Sequence, residues 1–74
     1  MTYKLWDGEF VLRLAGADDE LAGFFPVDVW RSGRWVPQKF EVADMVREAF
    51  ALTPEQARAL VIEQGGTAAD VVGR

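Results

Sequence analysis

The chain has 74 residues, half of them hydrophobic, with three Trp, five Phe and one Tyr, which predicts a single folded domain over residues 1–74 rather than a disordered chain. It contains no Cys and no His, which excludes disulfides, thiolate metal sites and every nucleophile pair that depends on these residues. Eight Lys and Arg against twelve Asp and Glu give a net charge of −4, which opposes general attraction to phosphate backbones or anionic lipid and favours a partner with a basic surface.

The first predicted element is a β-hairpin around Asp7-Gly8, because this turn pair lies between two segments of alternating residues. The strands are expected over residues 2–6 and 9–15, and a two-residue turn pairs Trp6 with Glu9. This register places Tyr3, Leu5, Phe10, Leu12 and Leu14 on one face of the hairpin, and Lys4, Trp6, Glu9, Val11 and Arg13 on the other.

An acidic connection follows over residues 16–23, Gly-Ala-Asp-Asp-Glu-Leu-Ala-Gly, and is rich in turn-forming residues. Its Asp18-Asp19-Glu20 run could in principle hold a hard cation through oxygen ligands. The run lacks the alternating ligands, the central Gly and the distal Glu of an EF-hand loop. We therefore expect a solvated acidic loop.

A second hairpin is predicted over residues 24–30 and 34–40, around Ser32-Gly33. Trp30 lies opposite Trp35 whether the loop has two residues or four. The face opposite this Trp pair carries Phe25, Val27, Val29, Val36 and Phe40. Both strands contain a Pro, which predicts strand edges or ends at those positions.

After the second hairpin, apolar residues at i, i+3, i+4, i+7 and i+8 predict an amphipathic helix. The stripe, which is expected to be buried, consists of Val42, Met45, Val46, Ala49 and Phe50. Thr53-Pro54-Glu55-Gln56 predicts a capped second helix that runs to about Gln64 and stops at Gly65-Gly66. Residues 67–70, Thr-Ala-Ala-Asp, predict a last short helix through Val72.

Together these elements predict an α+β fold with two β-hairpins forming a small antiparallel sheet. Residues 1–40 supply the hairpins and residues 41–74 supply two or three short helices packed on one face of the sheet. Helices that follow the strands as a block favour this arrangement over a parallel βαβ unit.

Localisation is predicted from what the chain lacks. Its N-terminal residues, Met-Thr-Tyr-Lys-Leu-Trp-Asp-Gly, contain no long apolar stretch of the kind found in signal peptides, and no apolar run approaches the roughly 20 residues that cross a bilayer. The absence of Cys suits a reducing compartment. We expect a soluble cytoplasmic protein without membrane contact.

Few side chains are available for catalysis. The single Ser, Ser32, lies at a predicted hairpin tip, where turn geometry already explains it. Gly65-Gly66 is not followed by the Lys of a phosphate-binding loop. Two carboxylates could hydrolyse a glycosidic bond, but a chain of this length can hardly enclose the substrate as well. We predict no enzymatic activity and assign no cofactor or metal.

A partner-binding surface is the stronger hypothesis. If the helices cover the aliphatic face, all three Trp lie together on the opposite face, and Trp and Arg are enriched in interface hot spots. The candidate partner-binding residues are Trp6, Trp30, Arg31, Arg34 and Trp35. Alternatively, the sheet is covered on both faces, or a homodimer buries the Trp side. The sequence leaves these alternatives open.

The leading hypothesis for function is therefore a small acidic protein-binding module, an adaptor or inhibitor. A particular form of it is a phage or mobile-element antagonist that occupies a basic, nucleic-acid-binding site on host machinery. A nucleic-acid-binding domain that uses Arg31 and Arg34 is the first alternative. An accessory subunit of a larger enzyme complex is the second.

Overall fold

The computed structural model describes residues 2–14 and 27–72, which form strands, helices and a short 3-10 turn. The bounds are Thr2–Trp6 (β1), Phe10–Leu14 (β2), Val27–Arg31 (β3), Arg34–Gln38 (β4), Val42–Glu48 (α1), Phe50–Leu52 (β5), Pro54–Glu63 (α2) and Ala68–Asp70 (the 3-10 turn). The predicted acidic connection over residues 16–23, with Asp18-Asp19-Glu20, and the predicted start of the third strand over residues 24–26 lie outside the described residues.

The strands form one five-stranded antiparallel sheet in the order β4-β3-β2-β1-β5, which confirms the α+β fold. Because β2 pairs with β3, the turns of both hairpins lie at the same end of the sheet, called here the turn end. Strand β5 was not predicted. It joins the outer edge of β1, with Phe50 opposite Leu5, through a pairing between residues far apart in the chain.

The second hairpin has the predicted register. Ser32 and Gly33 form a two-residue loop with φ of 54° and 78°, a conformation that matches the twist of the flanking strands. Trp30 pairs with Trp35, and their rings meet edge to face with centroids 5.2 Å apart. The valines of β3 and β4 lie on the opposite face, as expected.

The first hairpin has a different register from the predicted one. Asp7 and Gly8 form the expected turn with φ of 56° and 72°, and the Glu9 N–H donates to the Trp6 carbonyl oxygen at 3.2 Å. Glu9 is then an extra residue before β2, so that Trp6 pairs with Phe10 rather than with Glu9. A shift of one residue exchanges the faces of β2, which moves Phe10 to the side of Trp6 and Val11 to the side of Tyr3.

Each helix covers a different face of the sheet, so the prediction that the helices pack on one face is wrong. The α1 face packs Leu12, Leu14, Val27 and Val29 against Met45 and Val46. The α2 face packs Tyr3, Val11 and Trp30 against Ala57, Val61 and Val71. The physical reason is visible in β2, where the neighbours Val11 and Leu12 point to opposite faces and are both fully buried.

Helix α1 ends earlier than the apolar stripe suggested. It begins after Glu41, which has a positive φ of 58°, and it ends at Glu48, after which Ala49 is extended. Met45 and Val46 are buried as predicted. Phe50 is not: it starts β5 and is 74% exposed, because pairing with β1 replaces the last helical turn.

Lys4, predicted on a charged outer face, is buried beneath α1 instead. Its Nζ donates to the Val46 carbonyl oxygen at 3.2 Å. The Val46 carbonyl oxygen also accepts from the Ala49 N–H at 3.3 Å, and a lysine at this end of the helix complements the helix dipole. A charged residue therefore contributes to the packing of α1 on the sheet.

The predicted capping of α2 is confirmed. Thr53 Oγ1 accepts from the Gln56 N–H at 3.1 Å, and Gln56 Oε1 accepts from the Thr53 N–H at 2.9 Å. The predicted last helix is the shorter 3-10 turn, in which Thr67 donates to Asp70 Oδ2 through its N–H at 2.7 Å. Tyr3 then holds the end of the described chain, since its hydroxyl both donates to and accepts from the Val72 backbone at 2.8 Å.

Candidate functional site

Two of the predicted partner-binding residues, Trp30 and Trp35, lie on the α2 face. Trp30 is only 2% exposed, and its Nε1 donates to the Gln64 carbonyl oxygen at 3.2 Å. Trp35 is half-buried, and its Nε1 donates to the Asp70 carbonyl oxygen at 2.9 Å. The hypothesis that all three Trp share one exposed face is therefore wrong, because α2 and the 3-10 turn cover the pair. The alternative of a sheet covered on both faces is confirmed.

Arg13 completes the surroundings of Trp35. Its guanidinium carbon lies 4.5 Å from the Trp35 ring centroid, and its Nε and Nη2 donate to Asp28 Oδ2 at 3.1 and 2.6 Å. The charge of Arg13 is thus balanced by a carboxylate on the neighbouring strand. Arg13 and Trp35 therefore both contribute to packing within the α2 face.

The other three predicted residues, Trp6, Arg31 and Arg34, lie on the α1 face at the turn end. Trp6 packs against Phe10, with ring centroids 5.5 Å apart, and the guanidinium carbon of Arg31 lies 5.0 Å from the Phe10 ring centroid. Arg31 is paired with Arg34 across β3 and β4. The four side chains, one from each of β1 to β4, form a line across the sheet that we call the turn-end row.

The basic half of the turn-end row carries charge that the described residues do not balance. Arg31 and Arg34 are exposed and directly opposite each other, an arrangement in which like charges destabilise a hairpin. Within residues 2–14 and 27–72, neither guanidinium forms an ion pair or a hydrogen bond. Asp7 and Glu9 lie in the neighbouring turn, but they too form no ion pair within the described chain.

An open depression of about 430 Å³ adjoins the turn-end row at the end of the sheet. It is lined by Glu9, Phe10, Trp30, Arg31, Ser32 and Gln64. The Gln64 side chain bridges its two sides by donating to the Glu9 carbonyl oxygen at 3.1 Å. The depression has one guanidinium and one carboxylate in its lining, beside the exposed part of the Phe10 ring.

Phe10 is the residue of this surface that sequence analysis missed. A two-residue turn places it on the same face as Tyr3, away from Trp6, whereas the extra Glu9 brings it between Trp6 and Arg31. Alternation of apolar and polar residues does not reveal a single inserted residue. An Asp-Gly pair followed by Glu fits both a two-residue loop and a three-residue loop.

The turn-end row presents polar and apolar groups side by side. Two guanidinium groups offer hydrogen-bond donors and positive charge, and the two rings offer apolar surface. Across the described residues, no three His, Cys, Asp or Glu side chains are grouped closely enough to hold a metal ion. In the same part of the chain, no helix is long and apolar enough to span a membrane.

Comparison of the chain with protein-family models, with curated proteins and with solved structures finds no match.

Proposed function

We propose that this protein is a small, non-catalytic module that binds another protein through the turn-end row. The observation that carries the proposal is the exposed pair Arg31 and Arg34, which has no ion-pair partner among the described residues and lies beside the half-buried rings of Trp6 and Phe10. Two like charges opposite each other destabilise the free hairpin, so their placement favours a role in binding. Trp and Arg beside apolar surface are the residues that dominate binding energy in interfaces.

The non-catalytic part of the proposal is supported by the residue types present. The chain has no His and no Cys, and its one Ser, Ser32, lies in a hairpin loop with a φ of 54°. The proposal places the protein in the cytoplasm, and the lack of Cys supports a reducing compartment.

The alternatives differ in the partner that they require. An accessory subunit of an enzyme complex is a form of protein binding that fits this row. An antagonist that occupies a basic, nucleic-acid-binding site on host machinery requires an acidic binding surface instead. Nucleic acid is a different class of partner. Arg31 and Arg34 offer two phosphate contacts, against a net charge of −4 that opposes binding to a phosphate backbone.

The proposal is tested by capturing the partner from the native cell with the full chain and titrating the purified partner against variants. Phe10→Ala removes the ring between Trp6 and Arg31 and should weaken binding by about 2 kcal/mol or more, as loss of a hot spot does. Phe40→Ala is the matched control, because this ring is 77% exposed and lies beyond the opposite end of β4. The Phe40→Ala variant should bind the partner with the same affinity as the unmodified chain.

Circular dichroism and thermal melting establish that both variants are folded. Equal affinities for Phe10→Ala and Phe40→Ala would contradict the assignment of the row. Capture that is lost after nuclease treatment would favour nucleic acid instead. Trp30→Ala does not serve in this assay, because Trp30 lies in the core and its removal tests stability.

A further inference from the structure

We infer that the partner presents an acidic segment, with carboxylates over Arg31 and Arg34 and an apolar side chain over Trp6 and Phe10. The inference rests on the proposed binding role of the turn-end row and names the chemistry of its partner. The observation behind it is that charged and apolar side chains occupy different halves of the row.

The row has two halves of different chemistry. Its aromatic half lies on β1 and β2, and its basic half lies on β3 and β4. The midpoints of the halves are two strand spacings apart, about 10 Å. A segment that matches both halves therefore carries an apolar side chain and carboxylates separated by about three residues of extended chain.

The local charge of the row differs from the charge of the whole chain. The net charge of −4 led to the expectation of a basic partner. At the row, however, a basic segment would meet Arg31 and Arg34, whose charges no described carboxylate neutralises. Placing like charges against each other at an interface costs affinity, whereas carboxylates satisfy the guanidinium donors.

Arg31 is held in place before any partner binds. Its guanidinium lies over the Phe10 ring, and Phe10 is supported in turn by Trp6. A planar guanidinium stacked on an aromatic ring keeps its N–H groups available for a carboxylate while losing less side-chain freedom on binding.

A nucleic acid fits the row less well than an acidic peptide. Proteins that bind duplexes strongly neutralise on the order of 6–10 phosphates, and a binder of single strands follows the backbone with a continuous positive groove. The row offers two guanidiniums, with Asp7 and Glu9 in the turn beside it. Two guanidiniums are enough to bind the one or two carboxylates of a short acidic peptide.

The test is an NMR titration of the isotope-labelled full chain with two short synthetic peptides. The acidic peptide carries a Phe followed, three residues later, by a run of Glu, and the control peptide has Gln in place of each Glu. We expect the acidic peptide to bind roughly tenfold more tightly at low salt, the effect of two partly exposed charge pairs. The difference should disappear in the double variant Arg31→Ala/Arg34→Ala.

The matched control is Arg47→Ala/Arg58→Ala, which removes the same net charge from the two helices and should retain the tenfold preference. Equal binding of the two peptides, or equal loss in the two double variants, would overturn the inference. Tighter binding of a short oligothymidylate than of the acidic peptide would also overturn it and favour nucleic acid.

Failure of the inference and failure of the proposed function give different results. If the captured partner still discriminates Phe10→Ala from Phe40→Ala while the two peptides bind equally, only the acidic chemistry is wrong. If the captured partner binds Phe10→Ala and Phe40→Ala with equal affinity, the row is not the binding site, and the inference about an acidic partner is wrong as well.

Discussion

The three Trp residues show that position in the sheet, rather than residue type, decides whether a side chain packs in the core or lies at the candidate binding surface. Trp30 is buried under α2 and Trp35 lies beside it, and each donates its indole N–H to a backbone carbonyl of the segment after α2. Buried Trp usually requires such a partner. Trp6 lies on the opposite face beside Phe10, is half-buried like Trp35, and is the one of the three Trp that belongs to the turn-end row.

Gly66 provides a prediction about the core, because it is packed too tightly for any larger residue. A Cβ atom at this position would lie 2.4 Å from Val61 Cγ1 and 2.6 Å from Trp30 Cζ2. Gly66→Ala should therefore lower the free energy of unfolding by about 1–3 kcal/mol, as overpacking does. The measurement is urea unfolding of the single variant and of the variant in a Val61→Ala background.

Val61→Ala removes the nearest clashing atom, so Gly66→Ala should cost less in that background. The same cost in both backgrounds would show that Val61 is not the obstacle.

At the level of elements, α1 is a short helix whose buried residues are few. Met45 and Val46 alone are buried in it, and the chain leaves the helix at Ala49 to form β5. Met45→Ala should cost about 2–5 kcal/mol, because it empties part of the α1-face core. Phe50→Ala should change stability by less than about 0.5 kcal/mol, because the ring is 74% exposed.

Thermal or urea unfolding of these two variants compares them directly. A larger loss for Phe50→Ala than for Met45→Ala would contradict the end of α1 and the placement of β5.

Sequence patterns within one element were sufficient to predict that element where its structure depends on its own residues. The second hairpin was predicted with the correct Trp30–Trp35 pairing, because both loop lengths considered give that pair. The start of α2 was predicted because Thr53 and Gln56 satisfy each other's backbone N–H groups within one turn.

Contacts between distant residues were not predictable from the same patterns. The pairing of Phe50 with Leu5 joins residues from opposite halves of the chain, and the apolar spacing of Phe50 fits a helix as well as a strand. Trp6, Arg31 and Arg34 were candidates from the sequence, but their shared face was not predicted, because the expected arrangement placed Trp6 with Trp30 and Trp35. Phe10 joins the row only through the extra residue Glu9. An inserted residue changes the face of a strand without changing its alternation.

At the scale of the whole molecule, the sheet lies between α1 on one face and α2 with the 3-10 turn on the other. Once helices cover both faces of the sheet, few side chains of the strands remain accessible to a partner. The turn-end row lies where the α1 face continues beyond the buried cluster, and it combines partly exposed rings with two arginines that no carboxylate of residues 2–14 or 27–72 pairs with. The proposed binding role follows from this combination.

The most direct test of this role uses the indole N–H signals of the three Trp in a two-dimensional NMR spectrum of the labelled chain. Trp6 lies in the row, whereas Trp30 and Trp35 lie on the opposite face with their N–H groups bonded to Gln64 and Asp70, and they act as internal controls. On addition of the captured partner, the Trp6 signal should shift while the other two stay in place. Shifts of the Trp30 and Trp35 signals with an unchanged Trp6 signal would contradict binding through the turn-end row.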